Sequence, residues 1–289
     1  MKAWVIIFTC MFFVSFVGFA VTAAVTGVDI LNDVFLGNFT WDSYDVIRTF
    51  DSDYDNIDIS VLSARTNITL SSDGVTRVNY TGNSNFRNVE FIAEISGNTL
   101  IIKEKGNFAV IGWNWGWNLG FNRNGGQTTL DIELPMEAFN KIDINLTSGR
   151  INGELPETDS LYVNITSGSV TLNTAGTENY DIRATSGTVR ISELSGSGTV
   201  RLTSGSANIS FAEWNGSLDL KVTSGNATIT VPAGSGADFQ FSRTSGSLRY
   251  DMDDDSGRMT GSGSMSAGGS NRQRVKVDLT SGSAEIKTR

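Results

Sequence analysis

The stretch Leu161-Tyr162-Val163-Asn164-Ile165-Thr166-Ser167-Gly168-Ser169-Val170-Thr171-Leu172 decides the fold. Apolar residues alternate with polar ones up to Ile165, a Thr-Ser-Gly tripeptide follows, and the alternation resumes at Val170 and Leu172. A period of two sends alternate side chains to opposite faces, one buried and one polar. The stretch therefore reads as a strand, a turn and a second strand. Glycine is expected to supply a positive φ at the corner, and Ser and Thr to bond turn backbone groups.

The same tripeptide begins at Thr147, Thr166, Thr185, Thr203, Thr223, Thr244 and Thr280, so successive starts lie 19, 19, 18, 20, 21 and 36 residues apart. Each copy is preceded or followed by the same alternation, as in Ile142, Ile144, Leu146, or Val275, Val277, Leu279. A unit of about 19 residues cannot bury an apolar face alone, but stacked units bring like residues together at about 4.8 Å. The expected fold is all-β: a β-solenoid (β-helix) of about 19-residue coils with two strands per coil. The competing reading is an ordinary β-sandwich with Thr-Ser-Gly turns. The final spacing of 36 marks a coil without its tripeptide or a long loop, and residues 251–270, with Asp253-Asp254-Asp255 and Gly261-Ser262-Gly263, read as a polar, exposed excursion. Upstream, Ile57, Ile59 and Val61 lead through Ser63-Ala64-Arg65 to Ile68 and Leu70, and Thr129 to Leu134 is another strand stopped by Pro135. The solenoid is expected over 45–289.

Composition removes several functions. The 289 residues include no histidine and one cysteine, which excludes Ser-His-Asp catalysis, His-ligated zinc and an intrachain disulfide. Glycine at 31 with proline at only 3 fits many tight turns between strands. A net charge of −9 argues against nucleic acid as a partner.

No charged residue occurs from Ala3 to Val28, a span rich in Val, Ile and Phe. Twenty-six residues reach roughly 39 Å as a helix, enough to cross a hydrocarbon core of about 30 Å. Residues 1–28 are read as a transmembrane signal-anchor and 29–44 as a juxtamembrane lead. Lys2 on one side and Asp29 and Asp33 on the other place the N-terminus in the cytoplasm and the bulk of the chain outside. A cleaved signal ending near Ala20, Ala23 and Ala24 is the alternative.

At this point the chain resembles the bacterial "putative adhesin" family of membrane-anchored β-strand-repeat proteins. Thr129-Leu130-Asp131-Ile132-Glu133-Leu134-Pro135, Ile142 through Gly149 and the following Thr-Ser-Gly series carry the likeness, over roughly 45–289. The resemblance implies a β-solenoid at the outer face of a cytoplasmic membrane, with a role in envelope interaction or envelope-stress sensing. It implies no catalytic, metal or cofactor-binding residue.

The segment 108–126 reads as a Trp-rich hairpin. Trp113, Trp115 and Trp117 fall at strict period two, and Leu119 and Phe121 continue the same face. Trp113, Trp115, Trp117 and Phe121 form the candidate binding surface, suited to stacking on carbohydrate or to a membrane interface. The other reading makes these rings a cap on the open end of the solenoid core. Asp251 to Gly257 and Asp51 to Asp55 begin like calcium loops but lack the required Gly and Glu, so they read as solvated acidic loops. Paired carboxylates could hydrolyse glycosides without histidine, but nothing in the sequence places two of them at one cleft. The expected function is therefore an adhesin-like binding protein whose partner is a cell-envelope polymer, a lipid surface or a membrane protein. The alternatives are a polysaccharide-processing β-helix enzyme and a structural envelope spacer.

Overall fold

The computed structural model describes residues 43–51, 54–83, 89–106, 128–253 and 255–289. The expected anchor, nearly all of the juxtamembrane lead and the Trp-rich segment lie outside the described residues. Among those described, no helix is long and apolar enough to cross a membrane, and all regular structure is strand.

The chain opens with β1 (Ser43–Asp51), then a first two-strand coil, β2 (Asn56–Val61) and β3 (Arg65–Ser71). Two strands follow, β4 (Val75–Asn83) and β5 (Val89–Ser96), before the coil of β6 (Thr99–Gly106) and β7 (Thr129–Pro135). Five coils then run in sequence. They are β8 (Phe139–Leu146) with β9 (Arg150–Leu155), β10 (Thr158–Ile165) with β11 (Ser169–Thr174), and β12 (Thr177–Ala184) with β13 (Thr188–Leu194). Next come β14 (Ser197–Leu202) with β15 (Ser206–Phe211) and β16 (Leu218–Val222) with β17 (Asn226–Val231). The coil of β18 (Ser235–Arg243) and β19 (Ser247–Met252) is followed by β20 (Asp255–Met259) and β21 (Gly263–Gly268). The last coil is β22 (Asn271–Leu279) with β23 (Ser283–Thr288).

The first strand of every coil lies in an eleven-stranded sheet and the second in a twelve-stranded sheet. Coils pair in parallel and in register, so Leu161, Val163 and Ile165 lie beside Ile142, Ile144 and Leu146 on one side and Tyr180, Ile182 and Ala184 on the other. The inward residues of both sheets form one continuous core. Two strands per coil at the expected period is what the alternation predicts.

Stacking order departs from chain order at both ends. The last coil is inserted: β22 lies between β16 and β18, and β23 between β17 and β19. At the other end, β6 lies between β2 and β5, and β7 between β3 and β4. Antiparallel strands complete the ends, β1 and β4 in the twelve-stranded sheet and β5 in the other. Opposite them, β20 pairs with β19 and β21 with β18. The segment 251–270 is thus corrected from an excursion to two strands. Its Gly and Ser residues mask an apolar set that faces inward: Met252 and Ala267 are buried, and Met259 and Met265 pack on the core.

Side chains adjust from coil to coil. Gly198 occupies an inward position between Tyr180 and Leu218. A Cβ there would lie 2.4 Å from Tyr180 Cδ2, so the missing side chain makes room for the phenol ring. Trp214, in the β15–β16 connection, is buried against Phe211 with ring centroids 5.0 Å apart. Its indole N–H donates to Gly236 O of β18 at 2.7 Å, while its own carbonyl accepts from Asn271 Nδ2 of β22 at 3.2 Å. Trp214 therefore clasps the inserted coil and the coil beyond it. Arg289 completes the closure, donating to Phe211 O at 3.0 Å and pairing with Glu193 at 3.0 Å.

Candidate binding edge and faces

The Thr-Ser-Gly turns stack along one edge. Each turn's Thr and Ser N–H groups donate to carbonyls of the neighbouring coil, as in Thr185 N to Ile165 O and Ser186 N to Thr166 O, both 2.8 Å. With the backbone so occupied, all seven Thr-Ser pairs expose their side chains, giving two columns of hydroxyls. Glycine is required for a different reason than expected. Among the seven motif glycines only Gly246 has a left-handed φ, +99°. The others pack directly onto the preceding turn: a Cβ on Gly168 would lie 2.4 Å from Gly149 O, and one on Gly225 2.1 Å from Gly205 O. Close stacking of backbone on backbone excludes every side chain.

Among the described residues the ladder of turns ends at Leu62-Ser63-Ala64, where a carboxylate takes the place of a neighbouring turn's carbonyls. Glu104 Oε2 accepts from the N–H groups of Leu62, Ser63 and Ala64 at 2.7, 3.0 and 3.3 Å. Its other oxygen accepts from Tyr80 Oη at 2.8 Å. Glu104 is 6% exposed, yet these four donors satisfy the buried charge. Sequence reading passed over this residue, although its signal is present: Leu100, Ile102 and Glu104 share one inward register.

Two residues past Glu104 the described residues stop, at Gly106, and they resume at Thr128 on the same edge. Trp113, Trp115, Trp117 and Phe121 fall between these points and outside the described residues. Thr128 lines an open depression of about 530 Å³ on this edge, with Arg65, Arg150, Ser63 and Ser148.

The two outer faces differ in chemistry. On the eleven-stranded sheet, cations are matched by neighbouring carboxylates: Lys103–Asp58 at 2.7 Å, Lys141–Asp143 at 3.2 Å, Arg183–Asp181 at 2.6 Å and Lys221–Asp219 at 3.3 Å. Arg183 also lies 5.3 Å over the Tyr162 ring, and the carboxylate of Asp181 beside it raises its pKa further. The middle of the twelve-stranded sheet is covered instead by Ser, Thr and Asn. At the far end of that sheet, Arg77 bonds both Asp73 and Glu133, holding the Asp73 carboxyl below the usual range.

Of the acidic loops, Asp51 ends β1 and Asp251 lies in β19. Asp253 has a left-handed φ of 52° and accepts from Gly234 N at 2.9 Å. Among the described residues, no three His, Cys, Asp or Glu side chains gather to hold a metal ion.

A family model described as Toastrack DUF4097 matches residues 54–173 and 156–287. Among solved structures, the chain is similar to a "putative adhesin" of Bacteroides fragilis, with 14% identity and a TM-score of 0.41, over 85% of this chain and 97% of that one. It is also similar to a "putative cell adhesion protein" of Clostridium sporogenes, with 12% identity and a TM-score of 0.38, over 86% and 100% of the two chains. A "putative lipid binding protein" of Parabacteroides distasonis shares 15% identity at a TM-score of 0.35, over 84% and 96%. No curated protein gives a significant match to the chain.

Proposed function

This chain belongs to the Toastrack DUF4097 family, and on that premise we propose that it is a membrane-anchored, extracytoplasmic, adhesin-like binding protein of the cell envelope. Residues 1–28 act as the signal-anchor, with Lys2 cytoplasmic and Ser43–Arg289 displayed outside. The observation that carries the reading is the composition of one edge. Seven exposed Thr-Ser pairs run along it, and Gly106 and Thr128, the described residues that flank the sequence carrying Trp113, Trp115, Trp117 and Phe121, lie at the same edge. Tryptophan supplies a large amphipathic ring for a polymer or headgroup surface, and repeated hydroxyls add many weak bonds. Binding strength then comes from the number of contacts along the stack.

Orientation is tested in the producing cells. In a Cys10→Ser background, Asp159→Cys places a thiol at an exposed position of β10. The reading expects a membrane-impermeant maleimide to label that thiol in intact spheroplasts. Labelling only after permeabilisation would put the coils on the other side and overturn it.

A further inference from the structure

We propose that the outer face of the twelve-stranded sheet, centred on Arg190, is a binding site for an acidic polysaccharide. The proposal rests on the reading that the chain binds an envelope polymer, and it names the polymer's chemistry.

The outward positions on β11, β13, β15 and β17 hold eleven Ser, Thr or Asn residues and two charges, Arg190 and, at the bulge that ends β13, Glu193, whose carboxylate is paired with Arg289. Its register neighbours are Thr171 and Asn208, and Thr188 and Ser192 flank it along the strand. The guanidinium is exposed and has no ion pair or hydrogen bond among the described residues. The eleven-stranded sheet shows the alternative that the same coils adopt on their other side. There, outward charges at Asp181, Arg183, Arg201, Asp219 and Lys221 are all engaged in ion pairs. An unpaired arginine among hydroxyls and amides, with the one carboxylate of these four strands already held by Arg289, is therefore a property of one face and not of the repeat.

Strand formation does not call for this composition. Asparagine is a poor strand former, yet Asn173, Asn208 and Asn226 occupy outward strand positions. On a protein of net charge −9, an area whose one carboxylate, Glu193, is neutralised by Arg289 is where a polyanion meets little repulsion. Guanidinium matches a carboxylate bidentately. Hydroxyls and amides both donate and accept, as sugar hydroxyls do. An open depression of about 430 Å³ beside Arg190, lined also by Thr228, Thr230 and Lys287, provides a seat. Exposed Arg150, without an ion pair among the described residues, lies two strands away on β9 and two residues along the strand direction, roughly 12 Å at ordinary strand spacings, and offers a second cationic contact to a chain. A protein partner would call for aromatic or Met residues at the centre of the face, and a lipid surface for apolar ones; these positions carry neither.

The test uses the full-length chain in detergent and three immobilised polymers: polygalacturonate, neutral dextran and duplex DNA. Wild type is expected to bind polygalacturonate most tightly. Arg190→Glu should weaken that binding at least about tenfold, the loss expected for a charge-assisted bidentate contact. Arg274→Glu makes the same charge change at an exposed site of the other sheet and should stay within about twofold. Both variants should melt like wild type. The proposal is overturned by absence of wild-type binding to polygalacturonate, by Arg190→Glu binding as wild type, by equal loss in Arg274→Glu, or by equal affinity for DNA. Failure of the envelope-binding reading shows elsewhere, in cell-wall binding that survives loss of the three tryptophans.

Discussion

Replacing Gly205 by alanine would set a Cβ 2.3 Å from the Gly187 carbonyl oxygen of the neighbouring turn. An ordinary contact needs about 3.5 Å, so the two turns must part by roughly 1 Å. They are tied together by Thr203 N to Ala184 O at 2.9 Å, Ser204 N to Thr185 O at 2.7 Å and Ser206 N to Gly187 O at 3.0 Å. A 1 Å separation stretches one or two of these beyond bonding distance, at about 1 kcal/mol each. Overpacking adds about 1–3 kcal/mol, and the reduced freedom of the unfolded chain returns about 0.4–1 kcal/mol. The net loss is about 2–4 kcal/mol, or roughly 5–15 °C in Tm for a chain of this size. Gly261→Ala is the control, because no atom of the described residues lies within 4 Å of where its Cβ would stand and its φ is not left-handed; it should change stability by less than about 0.5 kcal/mol. Thermal and urea melts of the three proteins decide the matter. A Gly205→Ala protein melting within a degree or two of wild type would refute the claim that backbone stacking selects these glycines.

Three further outcomes are expected. Glu104→Ala leaves three turn N–H groups and the Tyr80 hydroxyl without their acceptor and should cost about 3–5 kcal/mol, whereas Glu104→Gln, which keeps one acceptor, should cost about 1–2 kcal/mol; calorimetry would check the order. Burial holds the Tyr180 hydroxyl above the ordinary tyrosine pKa, and that hydroxyl has no hydrogen-bond partner among the described residues. The folded state therefore keeps a proton that the unfolded chain loses above about pH 10, so stability should fall as pH rises from there. Tyr180→Phe should reduce that fall and leave stability at pH 8 unchanged or higher by about 1 kcal/mol, read from urea melts at pH 8 and pH 11. Trp214→Phe removes the bond to Gly236 O and should cost about 1–2 kcal/mol, with hydrogen exchange accelerating over residues 271–289 before it does over 139–211.

The coil was legible because two signals coincide, period-two burial and a turn that returns about every 19 residues. Thr129 to Pro135, Ile57 to Val61 and the Ser63-Ala64 turn fell into place by the same reasoning. Stacking order was not legible. Val275, Val277 and Leu279 pair with the residues of β16 by the same alternation that any coil offers, so no local feature says that β22 precedes β18 in the stack. The β20–β21 pair was hidden because Gly and Ser dominate it, leaving only Met259, Met265 and Ala267 to mark its inward face. The motif glycines were recognised, but the reason for them depends on a neighbour that sequence does not display. For the candidate site, Glu104 was readable from its register after Leu100 and Ile102. Arg190 was not, since its distinction lies in the residues missing around it on adjacent strands.

This chain is proposed to hold an envelope surface through Trp113, Trp115 and Trp117. Cosedimentation of the full-length protein with purified cell wall and with anionic liposomes tests it most directly, with a Trp113, Trp115, Trp117→Ala variant alongside and the melting temperature of each recorded. Wild type should bind, and the variant should melt normally but no longer sediment with the wall or the vesicles. A variant that binds as wild type, or a wild type that binds neither surface while the variant melts far lower, would contradict the claim and make those rings part of the core's closure.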